Sequence, residues 1–337
     1  MNMMFMGLLT AEFEGGPREY RGGAEGETPM LTVPLFHATG LLGGFFLPLA
    51  MGQKVVMMYK WDSTRALELI EQEHVTGLAT VPAILLDLLG HPDFGKYNTT
   101  SLMRVSAAGA ATPAGLPELI ESRVNNPSSS AGYGMTETMA VGGIMSGALF
   151  DFKPDAAGIT SPIMEMRFVA PDGSVLPDGE PGEIEMRGSC VTPGYWEKPE
   201  ANASTFDHDG WMKTGDVGLI DKDGYLHITG RIKEIVIRGG ENIYPGEIEQ
   251  AAYELPAVRE VVVFGEPDAA MGEELVMVAY PAPGEQLDEP SLRAFLLERL
   301  AGYKVPRVIR ISESALPRNA SEKLHKLKVK EAYMAAL

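Results

Sequence analysis

Between Leu31 and about Thr138, short apolar runs alternate with stretches of helical period. Residues 54–59 (KVVMMY), 77–81 and 102–107 are apolar runs of strand length. A helical pattern follows each one. Asp62 is placed to cap a helix carrying Leu67, Ile70 and Val75. Pro82 opens the helix PAILLDLL, and residues 113–123 form a third. Strand–helix alternation at this spacing predicts an α/β fold with a doubly wound parallel sheet, here a partial one. From Gly158 to Thr229 the pattern changes to short strands (MEMRFV, GEIEMRG, GYLHITG) separated by turn signals, PDG twice, DHDG and DKDG. This predicts an antiparallel, barrel-like subdomain. After Arg231 a smaller α/β unit begins, with strands REVVVFG, ELVMVAYP and RVIRIS and helices over 246–255, 289–300 and 326–336. The expected domains are therefore 1–157, a partial α/β subdomain; 158–232, the barrel-like β subdomain; and 233–337, a C-terminal α/β domain.

A length of 337 residues suits that division into two or three domains. The balance of 28 Lys and Arg against 46 Asp and Glu gives a net charge of −18, which repels a phosphate backbone and predicts no nucleic-acid partner. Cys190 is the one cysteine, which excludes an intrachain disulfide and a cysteine-based zinc site. That usage suits a reducing cytoplasm. The longest apolar stretch, 40–52, is too short to span a bilayer and contains Pro48. The N-terminal MNMMFMGLL lacks the basic flank of a signal peptide and reads as the end of a buried helix with no beginning.

The chemistry concentrates in three places. In the run from Gly132 to Thr138 (GYGMTET), glycines on either side of Tyr133 let backbone approach a ligand while the ring stacks on a flat face. Thr136 offers a hydroxyl to a phosphate and Glu137 a hard carboxylate to Mg²⁺. A bare GYG is more often an ordinary turn with a core tyrosine. Seven such residues at a strand end of a doubly wound sheet favour a ligand site. In GWMKTGD, the short carboxylate of Asp216 suits the two hydroxyls of a ribose, and Arg231 suits the same sugar or an adjacent phosphate. Each alone reads as a turn aspartate or a surface arginine. With the tyrosine motif they point to a nucleotide.

YGMTET, GEIEMRG, PGYWEKPE, GWMKTGD, GRIKEIVIRGGENIYPGEIE and LPRNASEK occur in this order. Together they resemble the AMP-forming adenylate enzyme superfamily: acyl-CoA synthetases, nonribosomal adenylation domains and firefly-type luciferases. The resemblance runs from about Leu31 to Tyr333. It implies that Gly109, Ala110 and Ala111 form the adenine strip, that Tyr133 and Gly134 flank the base, and that Thr136 touches the α-phosphate. It implies Glu137 on Mg²⁺, and Asp216 and Arg231 on the ribose. Lys233 falls at the hinge between the large and small domains. Gly239, Gly240 and Glu241 match the loop used in the thioester step. His37 in PLFHATG falls near the acyl carboxylate or the pantetheine channel, although outside the family it would read as a helix-capping histidine. Lys323 matches the adenylation lysine; otherwise it is one more lysine in a basic tail. Glu322 stands where the family usually has glycine, a modest departure.

The implied activity is ATP-dependent conversion of a carboxylic acid, fatty or aryl, to an acyl adenylate and its transfer to coenzyme A. Substrates and cofactors are then ATP, Mg²⁺, CoA and the acid. The residues from Gly142 to Ser146 (GGIMS) would border the acyl pocket. No carrier-domain motif precedes Leu337, which favours free CoA as acceptor. The family's phosphate loop, of the type TSGTTGxPKG, does not occur in these 337 residues. A truncated chain is therefore expected, with Met4, Phe5, Met6, Leu8 and Leu9 packing on a surface normally covered and with scope for self-association. Two other readings stay open: a stand-alone adenylation domain that loads a carrier protein, and a non-catalytic remnant that binds nucleotide.

Overall fold

The structure is a computed structural model that describes residues 26–107, 115–125, 127, 130–319 and 323–336. By their contacts the described residues divide into a larger unit, within 26–107 and 118–228, and a smaller unit, within 115–117 and 229–336.

The larger unit opens with a parallel sheet of β1 (Pro29–Leu31), β2 (Val56–Met57), β3 (Gly77–Thr80) and β4 (Arg104–Ala107), in the order β2-β1-β3-β4. Between β2 and β3 runs α1 (Ser63–Glu73), and between β3 and β4 runs α2 (Pro82–Leu89). Asp62 caps α1, accepting the Arg65 N–H at 2.8 Å, as its sequence position predicts. Leu67, Ile70, Leu85, Leu88 and Leu89 are fully buried and fix both helices to the unit's core. α3 (Gly115–Arg123) buries Ile120, with Val124 just beyond its end. Two differences from the sequence expectation stand out. The apolar run 54–59 pairs over only two residues, with β1, its one neighbour among the described residues. β1 itself lies inside the sheet and carries no strand-length apolar run of its own.

An antiparallel three-stranded sheet follows, of β5 (Ser130–Tyr133), β6 (Gly143–Ser146) and β7 (Ile159–Thr160). The barrel-like subdomain is a four-stranded antiparallel sheet of β8 (Met164–Val169), β9 (Gly182–Gly188), β10 (Met212–Ile220) and β11 (Leu226–Arg231). Phe168, Ile184, Met186, Met212, Leu226 and Cys190 close its core. The N-terminal apolar residues Met4, Phe5, Met6, Leu8 and Leu9 lie outside the described residues. Among those described, Phe36 and Tyr59 are strongly exposed large apolar side chains.

The smaller unit is built on the long antiparallel hairpin of β14 (Val258–Asp268) and β15 (Gly272–Pro281). The short hairpin β12 (Val236–Arg238) and β13 (Glu241–Ile243) adjoins β15 at one end, and β16 (Val308–Ile311) runs parallel to β15 further along. Three helices flank the sheet: α4 (Pro245–Tyr253), α5 (Glu289–Leu297) and α6 (Lys326–Ala335). Val261, Val263, Leu275 and Met277 pack into the cluster of α4 and α5, while Val262, Phe264, Val276 and Val278 pack with Leu316 and with Val329 of α6. Burial on both faces explains why REVVVFG is a continuous apolar run. β14 is an edge strand, and α4 covers its open donors. The Val263 N–H donates to Glu249 Oε1 at 2.8 Å, and the Val261 N–H reaches Tyr253 Oη at 3.4 Å.

Burial pushes the Tyr253 phenol up to about 12. The fold therefore favours the neutral form, while the unfolded chain ionises near pH 10. The associated stabilisation is complete below pH 10 and disappears as pH rises towards 12, a loss of about 2–3 kcal/mol. Alkaline unfolding curves should show this slope, and Tyr253→Phe should flatten it. An unchanged slope in that variant would assign the alkaline sensitivity to other groups.

Candidate active site

On the larger unit, Tyr133 ends β5 and leads into a tight turn. Gly134 is obligatory there, since a Cβ would lie 2.5 Å from the Ala140 carbonyl carbon. Residues Thr136–Thr138 form one 3₁₀ turn, with Thr138 fully buried and its Oγ1 within 3.2 Å of both the Met135 N–H and the Met135 carbonyl. Met139 and Ala140 follow with φ of 54° and 60°, two successive non-glycine residues in the left-handed region. Such conformations cost about 1–3 kcal/mol each and concentrate at functional sites. The turn leaves Thr136 exposed and Glu137 half-buried.

Glu137 is held at two points. Its carbonyl accepts the Thr192 N–H at 2.7 Å, and its Oε1 accepts the Tyr195 hydroxyl at 2.8 Å. Tyr195 is fixed in turn by Asn202, whose Oδ1 takes the Tyr195 N–H at 2.6 Å and whose Nδ2 donates to the Tyr195 carbonyl at 3.0 Å. Burial and the Glu137 carboxylate raise the Tyr195 phenol, so it remains a donor. A single hard carboxylate on a rigid turn fits Mg²⁺, which takes one or two protein carboxylates and completes its shell with water and phosphate oxygens. Among the described residues no group of three or more His, Cys, Asp or Glu is arranged to hold a metal by itself.

Asp216 lies within the stretch of β10 where its register against β9 shifts, next to Gly215 at φ 74°. The bulge turns the carboxylate inward, where it is buried and accepts the Tyr133 hydroxyl at 2.7 Å. Its N–H donates to Thr214 Oγ1 at 3.1 Å, and that hydroxyl donates to the Ile184 carbonyl at 2.7 Å. The structure thus joins two predicted residues, 83 positions apart, at one point. Gly142 leaves room beside the ring, since a Cβ there would come within 3.2 Å of Tyr133 Cδ1. His37 sits at the foot of a π-helix, Thr39–Phe46, with its Nδ1 3.3 Å from the Thr39 N–H. That contact is the capping role its sequence position also allowed.

On the smaller unit, Arg231 ends β11 and pairs with Glu234 at 3.8 Å across the 3₁₀ turn Ile232–Glu234 that contains Lys233. Lys323 is half-buried, and burial together with the nearby Arg231 charge holds its ammonium below the usual lysine range. Arg231 and Lys323, 92 residues apart, therefore form one cationic locus. Gly239 and Gly240, at φ 60° and 89°, make the two-residue turn of the β12–β13 hairpin. Glu241 starts β13, exposed and opposite Arg238. Gly109, Ala110 and Ala111 lie outside the described residues. Sequence reasoning attached no chemistry to Tyr195, whose only signal was its place in PGYWEKPE.

Residues 6–196 match the family of AMP-binding enzymes, and residues 247–323 match the AMP-binding enzyme C-terminal domain. A feruloyl-CoA synthase of Amycolatopsis is 37% identical over 311 residues, which are 92% of this chain and 62% of that protein. ATP-bound MatB of Rhodopseudomonas palustris superposes with a TM-score of 0.80 at 32% identity, covering 91% of this chain and 60% of that one. The o-succinylbenzoate CoA synthetase of Bacillus subtilis, in complex with ATP and magnesium, gives a TM-score of 0.78 at 29% identity, covering 97% and 65%. The chain spans 60–65% of the length of each of these relatives. With both family segments in order and the tyrosine turn, buried aspartate and cationic locus in place, the chain belongs to the AMP-binding, AMP-forming adenylate enzymes.

Proposed function

We propose that the protein activates a carboxylic acid with ATP and transfers the acyl group to coenzyme A. The observation that carries this reading is the Tyr133–Asp216 contact, four residues from the Glu137 turn. It sets an aromatic face, a buried carboxylate and an exposed threonine hydroxyl in one rigid group, the parts needed for a base, a ribose and a phosphate.

In the first step a carboxylate oxygen attacks the α-phosphorus, and the bond to the β-phosphate oxygen breaks, releasing pyrophosphate. Carboxylate is a weak nucleophile, so positioning and charge neutralisation dominate. Tyr133 and Asp216 orient the nucleoside, and Thr136 donates to the α-phosphate. Glu137, steadied by Tyr195, would hold Mg²⁺, which supplies positive charge beside the phosphate oxygens. Lys323 is assigned to the incoming carboxylate and α-phosphate oxygens, and Arg231 to the ribose. In the second step the CoA sulfur attacks the acyl carbon and AMP leaves, with the Gly239–Gly240 turn at the pantetheine. An aryl acid is supported by the similarity to feruloyl-CoA synthase. The single cysteine, buried in the barrel-like core, supports a reducing compartment such as the cytoplasm. Among the described residues no helix is long and apolar enough to cross a membrane.

Adding ATP and a panel of fatty and aryl acids should release pyrophosphate in an acid-dependent manner, and adding CoA should yield the matching thioester by mass spectrometry. Glu137→Gln should lower that release about tenfold or more and weaken Mn²⁺ retention with nucleotide, read by electron paramagnetic resonance. No acid-dependent pyrophosphate from any member of the panel would support the non-catalytic reading instead.

A further inference from the structure

Among the carboxylates buried in the smaller unit are Glu249 on α4 and Glu260 on β14, at 6% and 3% exposure. Burying a carboxylate is costly unless its acceptor sites are filled. Glu260 spends both oxygens on the chain segment that carries Lys323, while Glu249 gives Oε1 to the Val263 N–H and turns Oε2 to that segment. Glu260 holds the incoming arm. Its Oε2 accepts the Leu316 N–H at 2.6 Å, and its Oε1 accepts Arg318 Nη2 at 2.5 Å. Glu249 holds the outgoing arm, where its Oε2 lies 3.0 Å from Lys326 Nζ. The same ammonium donates to Glu234 Oε2 at 2.6 Å, on the turn that contains Lys233.

Cross-ties join the two arms on either side of Lys323. The His325 N–H donates to the Pro317 carbonyl at 2.7 Å, and the Asn319 N–H to the Lys323 carbonyl at 2.9 Å. The Lys323 N–H donates to Asn319 Oδ1 at 3.1 Å. Leu316 and Val329 are the apolar anchors at the outer ends, both in the cluster beneath α6. Burial alone drives Lys326 towards neutrality, but Glu249 and Glu234 overcome it and keep the ammonium charged. Burial raises the Glu249 carboxyl against the pull of that ammonium. What the ionic pairs add is a single register for the two arms.

We propose that Glu260 and Glu249 are positioning residues that clamp the incoming and outgoing arms of the Lys323 segment and so fix where the Lys323 ammonium stands. Their importance for catalysis rests on the adenylation role assigned to Lys323 above; the clamp itself is testable without it.

The test titrates the Lys323 amine by competitive reductive methylation with ¹³C-formaldehyde, in the parent protein and in Glu260→Gln and Glu249→Gln. Folding is checked by circular dichroism and melting temperature. In the folded variants Lys323 should move up towards an ordinary lysine as it leaves its half-buried place beside Arg231. Pyrophosphate release should fall by roughly a hundredfold for a misplacement of about 1 Å. Neither variant should lower pyrophosphate release further in a Lys323→Ala background. An unchanged Lys323 titration in a folded variant overturns the clamp, as does a full additional loss on top of Lys323→Ala. Should Glu260→Gln not fold, Arg318→Gln removes the same contact from the partly exposed side. If Lys323→Ala leaves adenylation intact, the role of Lys323 fails while the titration still decides the clamp.

Discussion

Lys323→Ala should cut acid-dependent pyrophosphate release by about a hundredfold or more, while thioester formation from a preformed acyl adenylate stays near the parent rate. A fixed positive charge placed where phosphate charge builds is worth roughly 3 kcal/mol in a site screened from water. Lys323 is half-buried and close to the Arg231 charge, so it is already partly stripped of water before any substrate arrives. That arrangement is costly unless an anion repays it. The second step breaks no bond at the α-phosphorus, so it has no comparable need of the ammonium. Running both half-reactions on one preparation checks the split. Equal losses in the two would assign Lys323 another role.

Lys233→Pro should spare acid-dependent ATP–pyrophosphate exchange and lose acyl-CoA formation by at least about tenfold, or 1.4 kcal/mol of barrier. Lys233 is the middle residue of the turn Ile232–Glu234, closed by the Ile235 N–H on the Ile232 carbonyl at 3.3 Å. Proline accepts the φ of a 3₁₀ residue but drives the residue before it out of the helical region. The Glu234 side chain next to it is tied to Lys326, and the resemblance puts Lys233 itself at the hinge. On the proposed roles, with Lys323 used in one half-reaction and the Gly239–Gly240 turn in the other, the dihedrals at Lys233 should change between the steps. Undiminished thioester formation in the variant would remove the hinge role from Lys233.

Local chemistry made much of the fold legible. Asp62 as a cap, Pro82 at a helix start and the continuous run REVVVFG each describe their surroundings within a few residues. β1 was not legible, because a three-residue strand inside a sheet owes its place to β2 and β3 and not to its own pattern. β10 was hidden by its bulge, which breaks the alternation at Gly215 and Asp216. The same bulge is what turns Asp216 towards Tyr133. At the site, resemblance supplied residue roles that spacing alone could not. Tyr195 on Glu137 and Glu260 on Arg318 join positions 58 residues apart, and no local period encodes such a pair.

Cys190 closes the barrel-like core at 7% exposure and is the chain's one thiol. The protein therefore carries its own clock. An alkylating reagent reaches that sulfur only when the core around Phe168, Ile184 and Leu226 opens, so the labelling rate at saturating reagent counts openings of this one subdomain. The smaller unit has no cysteine and is silent in such an experiment. A nucleotide that orders Tyr133 and Asp216 should slow the clock in proportion to its occupancy, which turns one buried sulfur into a binding assay that needs neither turnover nor knowledge of the acid.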